Sequence, residues 1–128
     1  MVRKSARSVG RQAEQLVERY LSEQGLCTIA RNFYCRMGEI DLVMRDTDFL
    51  VFVEVRFRSA NRLTSARSTV DGRKRQRLIK TAAMYLAANP RYANCVMRFD
   101  IVGVDRNSDG SQRIHWVRDA FRPTNSSL

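Results

Sequence analysis

A chain of 128 residues suits one domain, because two halves would each be too small to bury much of a core. With 44% hydrophobic and 28% charged residues it is not a disordered polymer, and no apolar run approaches the roughly 20 residues that cross a bilayer. The net charge of +10 points to a polyanionic partner, engaged through counterion release, although ordinary solubility is the plainer alternative for a small basic protein.

Lysine occurs only at Lys4, Lys74 and Lys80, so arginine dominates the positive charge. Arginine is the better bidentate partner for phosphate. The basic start from Met1 to Arg7 leads into no apolar stretch and does not read as a secretory signal, so a soluble, cytoplasmic protein is expected. Cys27, Cys35 and Cys95 form no Cys-x-x-Cys pair, and His115 is the only histidine; this does not suit a zinc site.

The first predicted element is a helix from about Ser8 to Gln24, with Ala13, Leu16, Val17, Tyr20 and Leu21 on one apolar face. Gly25 is its natural stop. Gly10, Glu14, Val17 and Leu21 share a stripe at the edge of that face, which puts Glu14 at the rim of the buried side. Three strands follow, from Leu26 to Arg31 or slightly beyond, from Ile40 to Arg45, and from Phe49 to Phe57. In the second, Ile40, Leu42 and Met44 are expected on one face, with Asp41 and Val43 on the other. In the third, Glu54, Arg56 and Arg58 lie opposite Val53, Val55 and Phe57. Thr47 and Asp48 mark the hairpin turn.

The segment 59–69 reads as a polar, basic, mobile loop. A second helix is expected from a cap at Ser68 or Thr69 to Ala88, stopped by Asn89-Pro90. A fourth strand runs from about Cys95 to Val104, and a last one from Arg113 to Arg118. The ends, about 1–7 and 123–128, are expected to fray. The fold class is α/β: a single domain with a mixed central sheet flanked by helices, in the order α-β-β-β-α-β-β. Its strand–helix–strand step implies a right-handed, parallel crossover.

Charge is unevenly placed. Residues 39–54 carry Glu39, Asp41, Asp46, Asp48 and Glu54 against Arg45 alone. The stretch that follows carries Arg56, Arg58, Arg62, Arg67, Arg73, Lys74, Arg75, Arg77 and Lys80 against Asp71. A turn at Thr47-Asp48 places Asp41 opposite Glu54 and Glu39 opposite Arg56. Like charges directly paired, with Cβ atoms about 4.5–5.5 Å apart, are destabilising and need compensation. A hard divalent cation such as Mg²⁺ or Mn²⁺ supplies it; a salt-bridge network through Arg58 or Arg98 is the alternative.

Gly38-Glu39-Ile40-Asp41-Leu42, followed by Val51-Phe52-Val53-Glu54-Val55-Arg56-Phe57-Arg58, resembles the YraN family of uncharacterised bacterial proteins, part of the restriction-endonuclease-like PD-(D/E)XK superfamily. Gly10, Glu14, Asn32, Lys74, Arg98-Phe99-Asp100 and Ala120-Phe121 extend the likeness over nearly the whole chain. The resemblance implies a nuclease-like core in which Asp41 and Glu54 bind Mg²⁺ or Mn²⁺, the carbonyl of Val55 is a further ligand, and Glu14 approaches from the first helix. It also implies hydrolysis of phosphodiesters, with DNA favoured over RNA as partner; no small-molecule cofactor is expected, a homodimer stays open, and no membrane partner is expected because the sequence carries no amphipathic or lipid signal.

One position departs from the superfamily pattern. Arg56 stands where that pattern has lysine, and arginine is effectively never a proton acceptor. Lys74 is the candidate replacement from another direction. Glu14, Asp41, Glu54, Arg56 and Lys74 are therefore the candidate catalytic residues. Arg58, Arg62, Arg67, Arg73, Lys74, Arg75 and Arg77 are the candidate nucleic-acid contacts. The alternative is a non-catalytic nucleic-acid-binding module of the same fold, its site weakened by Arg56.

Overall fold

The computed structural model describes residues 6–58 and 71–123. The expected mobile loop, residues 1–5 and 124–128 of the expected frayed ends, and the contacts assigned to Arg62 and Arg67 lie outside the described residues, whereas residues 6 and 7, expected to fray, already belong to the first helix. Helix α1 (Ala6–Glu23) presents Ala13, Val17 and Leu21 as its buried stripe, as the spacing predicts. It stops at Gly25, whose φ of 102° is open to glycine, where the Gly25 N–H donates to Ser22 O and the Leu26 N–H to Leu21 O.

Strands β1 (Cys27–Cys35), β2 (Gly38–Asp46) and β3 (Phe49–Arg58) form an antiparallel meander. Helix α2 (Gly72–Ala88) and a 3-10 turn at Pro90–Tyr92 lead to β4 (Val96–Arg106), which pairs parallel with β3, and β5 (Gln112–Phe121) returns antiparallel. The five strands lie in chain order, β1-β2-β3-β4-β5. Element order and mixed sheet are those expected, and the chain between β3 and β4 makes the expected parallel connection.

The two helices cover opposite faces. On one, α1 packs on Leu42, Met44, Val51, Val53, Val102 and Val104. On the other, Leu78, Ile79, Ala82 and Tyr85 of α2 pack on Leu50, Phe52, Phe99 and Ile101. Phe52 and Phe99 stack with ring centroids 5.4 Å apart. Truncating either to alanine should cost about 3–5 kcal/mol. Among the described residues no helix is long and apolar enough to cross a membrane.

Four expectations need correction. The cap of α2 is Asp71, whose carboxylate accepts the Lys74 N–H at 2.9 Å, rather than Ser68 or Thr69. An acidic cap offsets the unfavourable basic start of this helix. Strand β1 continues well past Arg31, through Asn32, whose φ of 52° masks it as a strand residue in the sequence. Strand β5 likewise continues past Arg118 through Asp119, at φ 51°. The even alternation expected of β2 also fails. Leu42 and Met44 face α1, whereas Ile40 packs with Val43 on the α2 side. The strand therefore changes face at Asp41, next to the point where β1 kinks at Asn32.

Candidate functional site

The kink is where the site forms. The β2–β3 ladder turns at Thr47-Asp48 as predicted and runs from Asp46↔Phe49 to Leu42↔Val53. There it ends, so Asp41 and Glu54 are neighbours where the strands part and not a laddered pair. The Val55 N–H is satisfied by the Asp41 side chain instead, donating to Oδ2 at 2.8 Å. A carboxylate has replaced a carbonyl as the strand's acceptor. This fixes Asp41 against β3 at the cost of burying its charge.

Glu54 projects to the α2 side and is only 7% exposed. Lys74 Nζ approaches its Oε1 to 2.7 Å, and Arg56 Nε lies 3.5 Å from the same oxygen. The ion pair seen for Arg56 is thus with Glu54 on its own strand, where sequence register suggested Glu39. Glu39 is instead joined to Glu14. Turned so that its nitrogen faces the two acids, the orientation that satisfies both ends of the amide, the Asn32 carboxamide donates to Glu14 Oε1 at 2.7 Å and to Glu39 Oε1 at 3.2 Å. Helix α1, β1 and β2 each contribute one member of that bridge.

Two pockets meet at these acids. One, of about 200 Å³, is lined by Glu39, Asp41, Glu54, Lys74, Arg77 and Thr81 among others. The other, of about 470 Å³, is lined by Gly10, Arg11, Glu14, Asn32, Tyr34, Glu39 and Asp41. The α2 positions that reach the smaller pocket are 74, 77, 78 and 81, one helical face. Helix and hairpin touch closely here: a Cβ on Gly38, at φ 150°, would lie 3.1 Å from Thr81 Oγ1.

The electrostatics follow from this crowding. Burial first, and then the neighbouring Glu54, push the Asp41 carboxyl up to about 8; the Val55 N–H works in the other direction, and Glu14 and Glu39 add to the rise. Glu14 is also raised, by burial and then by Glu39, with Arg11 opposing. Asp41 holds its proton in a site built of acids, so anything that neutralises charge there will compete with that proton.

The candidate residues divide clearly. Glu14, Asp41, Glu54, Arg56 and Lys74 come together, with the Val55 backbone beside Asp41, and Arg77 joins them. Arg73 is exposed but does not line either pocket. Arg75 sits over the Phe121 ring at 5.6 Å. Arg58 is buried and pairs with Asp105 at 3.3 Å, which also meets His115. Arg98 lies apart from the acids of the site, held by Asp46 and Asp100. Sequence reasoning missed the roles of Glu39 and Asn32. An asparagine at the end of an apolar-periodic run was the available signal, since asparagine is enriched at positive φ.

A sequence model of the uncharacterised protein family UPF0102 matches residues 13–104. Similar proteins include a UPF0102 protein of Pseudomonas aeruginosa (strain LESB58), 48% identical over 121 residues, or 93% of this chain and 96% of the relative. Another, from Halorhodospira halophila (strain DSM 244 / SL1), is 48% identical over 94% of this chain and 92% of its own length. A solved structure of SfsA from Pyrococcus furiosus, in complex with Ca²⁺, is similar with a TM-score of 0.37 and 14% identity, over 87% of this chain and 63% of that one.

Proposed function

The chain belongs to the uncharacterised protein family UPF0102, the YraN family that its hairpin motifs resemble, and on that premise we propose that it binds nucleic acid, DNA first, and hydrolyses phosphodiester bonds with the aid of a divalent cation. The observation that carries the reading is the meeting of Asp41 and Glu54 where β2 and β3 part, with Lys74 reaching in from α2.

The donor set fits a cation of this kind. Glu14, Glu39, Asp41 and Glu54 are hard oxygen donors, and Asp41 is buried among acids whose repulsion a dication relieves. Among the described residues no three of them are already drawn together as a metal-binding group. Asp41 and Glu54, with the Val55 carbonyl, are the residues we assign to Mg²⁺ or Mn²⁺. When bound, the cation supplies an activated water and neutralises charge on phosphate and leaving oxygen.

The chain's own groups do the rest. Lys74, already on Glu54, is the amine able to orient water or exchange a proton, a task closed to the guanidinium of Arg56. Arg77, lining the smaller pocket, and Arg56, beside Glu54 at its edge, supply fixed positive charge for a phosphate. Glu14, held by Asn32, orients donors from the α1 side.

Labelled single-stranded, duplex, flap and four-way-junction DNA, with RNA alongside, in Mg²⁺ or Mn²⁺, tests the proposal. Cleavage is expected in at least one lane and is expected to vanish in Asp41→Asn and Glu54→Gln proteins that still bind. A specific observation favours a second reading: Lys74 and Arg56 together already counter the Glu54 charge. In a non-catalytic binding module those two cations would stand permanently in place of a metal, and binding without cleavage in every lane would select it.

A further inference from the structure

We propose that Tyr34 is a stacking platform for one unpaired nucleobase, so that the favoured ligand carries an unpaired nucleotide next to the phosphate held at Lys74 and Arg77. The inference rests on the nucleic-acid reading of the site and adds to it the kind of substrate.

The two pockets share Glu39 and Asp41 yet differ in chemistry. The smaller sets Lys74 and Arg77 beside Glu39, Asp41 and Glu54, which suits a phosphate once a cation offsets the acids. The larger holds an aromatic ring, Tyr34, with Arg11 beside it, and its volume of about 470 Å³ is ample for a base and sugar. A nucleotide joins those two chemistries in one covalent unit. Among the described residues nothing else explains the ring: Tyr34 is 76% exposed, while Phe33 beside it packs edge-on against Tyr85 at 5.0 Å and belongs to the core. Among the described residues no ring or guanidinium packs on Tyr34.

The pocket's polar groups also say how a base would be read. The Asn32 amide is committed to Glu14 and Glu39, so it offers no free edge for a base. Recognition then rests chiefly on the π-face, which every base possesses, with Arg11 the one cationic donor lining the pocket, and sequence preference is expected to be weak. A base inside a duplex already stacks on its neighbours and is not available to the ring. Single strands, flaps and gaps expose one; continuous duplex does not.

Single-stranded and gapped oligonucleotides carrying 2-aminopurine at successive positions test this on the full chain, in EDTA and again in Ca²⁺. Quenching is expected at one position, kept in Tyr34→Phe and lost in Tyr34→Leu. Affinity for the single strand is expected to fall about tenfold in Tyr34→Leu, with duplex affinity and thermal midpoint unchanged. An abasic site at the quenched position should abolish the difference between the two variants. Oligonucleotides bound equally well by native and Tyr34→Leu protein would overturn the platform alone. Failure to bind any oligonucleotide would overturn the nucleic-acid reading with it. Binding and quenching without cleavage would remove only the hydrolytic part of that reading.

Discussion

Lys74 Nζ stands 2.7 Å from Glu54 Oε1, so an amine from helix α2 meets the acid of strand β3 although twenty residues separate them in the chain. Arg56, two residues beyond Glu54 on the same strand, has its Nε 3.5 Å from the same oxygen. On the proposed hydrolytic reading Lys74 is the proton-exchanging amine, so Lys74→Met should lower cleavage by about 10²–10⁴-fold, and Lys74→Arg should restore binding but little turnover. Single-turnover rates at saturating protein separate the two effects. Native-like turnover in Lys74→Met would end this assignment.

Arg56 then has a different part. With an amine already present, Arg56→Lys is expected to leave turnover within about threefold of native, because no missing chemistry is being restored. Arg56→Gln should weaken nucleic-acid binding and lower the slope of log affinity against log salt by about one ion. A large gain in cleavage for Arg56→Lys would overturn that assignment and place the limit on the proposed hydrolysis at the arginine.

How much of this was legible beforehand depended on which interactions are local. Periodicity located α1, the hairpin turn and the parallel step to β4, because apolar spacing and turn chemistry are written in neighbouring residues. It placed Glu14 on the rim and Asp41 near Glu54. It failed at Asn32 and Asp119, where a positive φ inside a strand hides its continuation, and at the cap of α2, where Asp71 prevailed over two hydroxyl residues. The change of face at Asp41 was also invisible, since it arises from contact between β1, β2 and the Val55 N–H. Arg58 reads as a phosphate contact in sequence, but its neighbour on β4, Asp105, holds it in the fold.

Asp41 makes stability depend on pH in a fixed direction. Its carboxyl is raised to about 8 in the fold, by burial and then by Glu54, against an ordinary value of 3.8. Between those values the folded chain holds a proton that the unfolded chain has released. Stability should therefore decline as pH rises from about 4 to about 8 and level off above it. Asp41→Asn removes the titrating group and is expected to stabilise the metal-free protein by roughly 1–3 kcal/mol at pH 8. Mn²⁺ affinity in the native chain should run the other way, rising towards pH 8 with release of a proton. Denaturant melts and calorimetry at several pH values read both trends, and stability that increased over this window would contradict the burial of this acid.

Away from the pockets, Asp100 organises the far side of the sheet. It is 1% exposed and accepts from Arg98 Nε and Nη2, Trp116 Nε1 and the Asp119 N–H, each at 2.9–3.0 Å. Arg98 also pairs with Asp46 at 3.0 Å, tying β4 to the end of β2. Breaking such a buried pair leaves a charge uncompensated, so Asp100→Ala should cost about 3–5 kcal/mol. Chemical denaturation measures it. A loss below about 1 kcal/mol would mean that the network is incidental, and the effect should appear in folding before it appears in any nucleic-acid assay.

Asn32 offers the finest test of the site, because its backbone and its amide can be varied separately. At φ 52° asparagine, aspartate and glycine are all tolerated, whereas most side chains are strained. Asn32→Gly keeps the kink and removes the bridge between Glu14 and Glu39, for a cost of about 1 kcal/mol with little dependence on pH. Asn32→Asp also keeps the kink but replaces the donor with a further acid among acids. Its carboxylate would face Glu14 and Glu39 from an exposed position that solvent screens, so the variant should resemble Asn32→Gly near pH 5 and fall below it by no more than about 1 kcal/mol at pH 8. Divalent cation should narrow that gap, since an added carboxylate is a penalty only while positive charge is scarce. Parallel stability curves for the two variants across pH would instead place Asn32 outside the electrostatic field of the site.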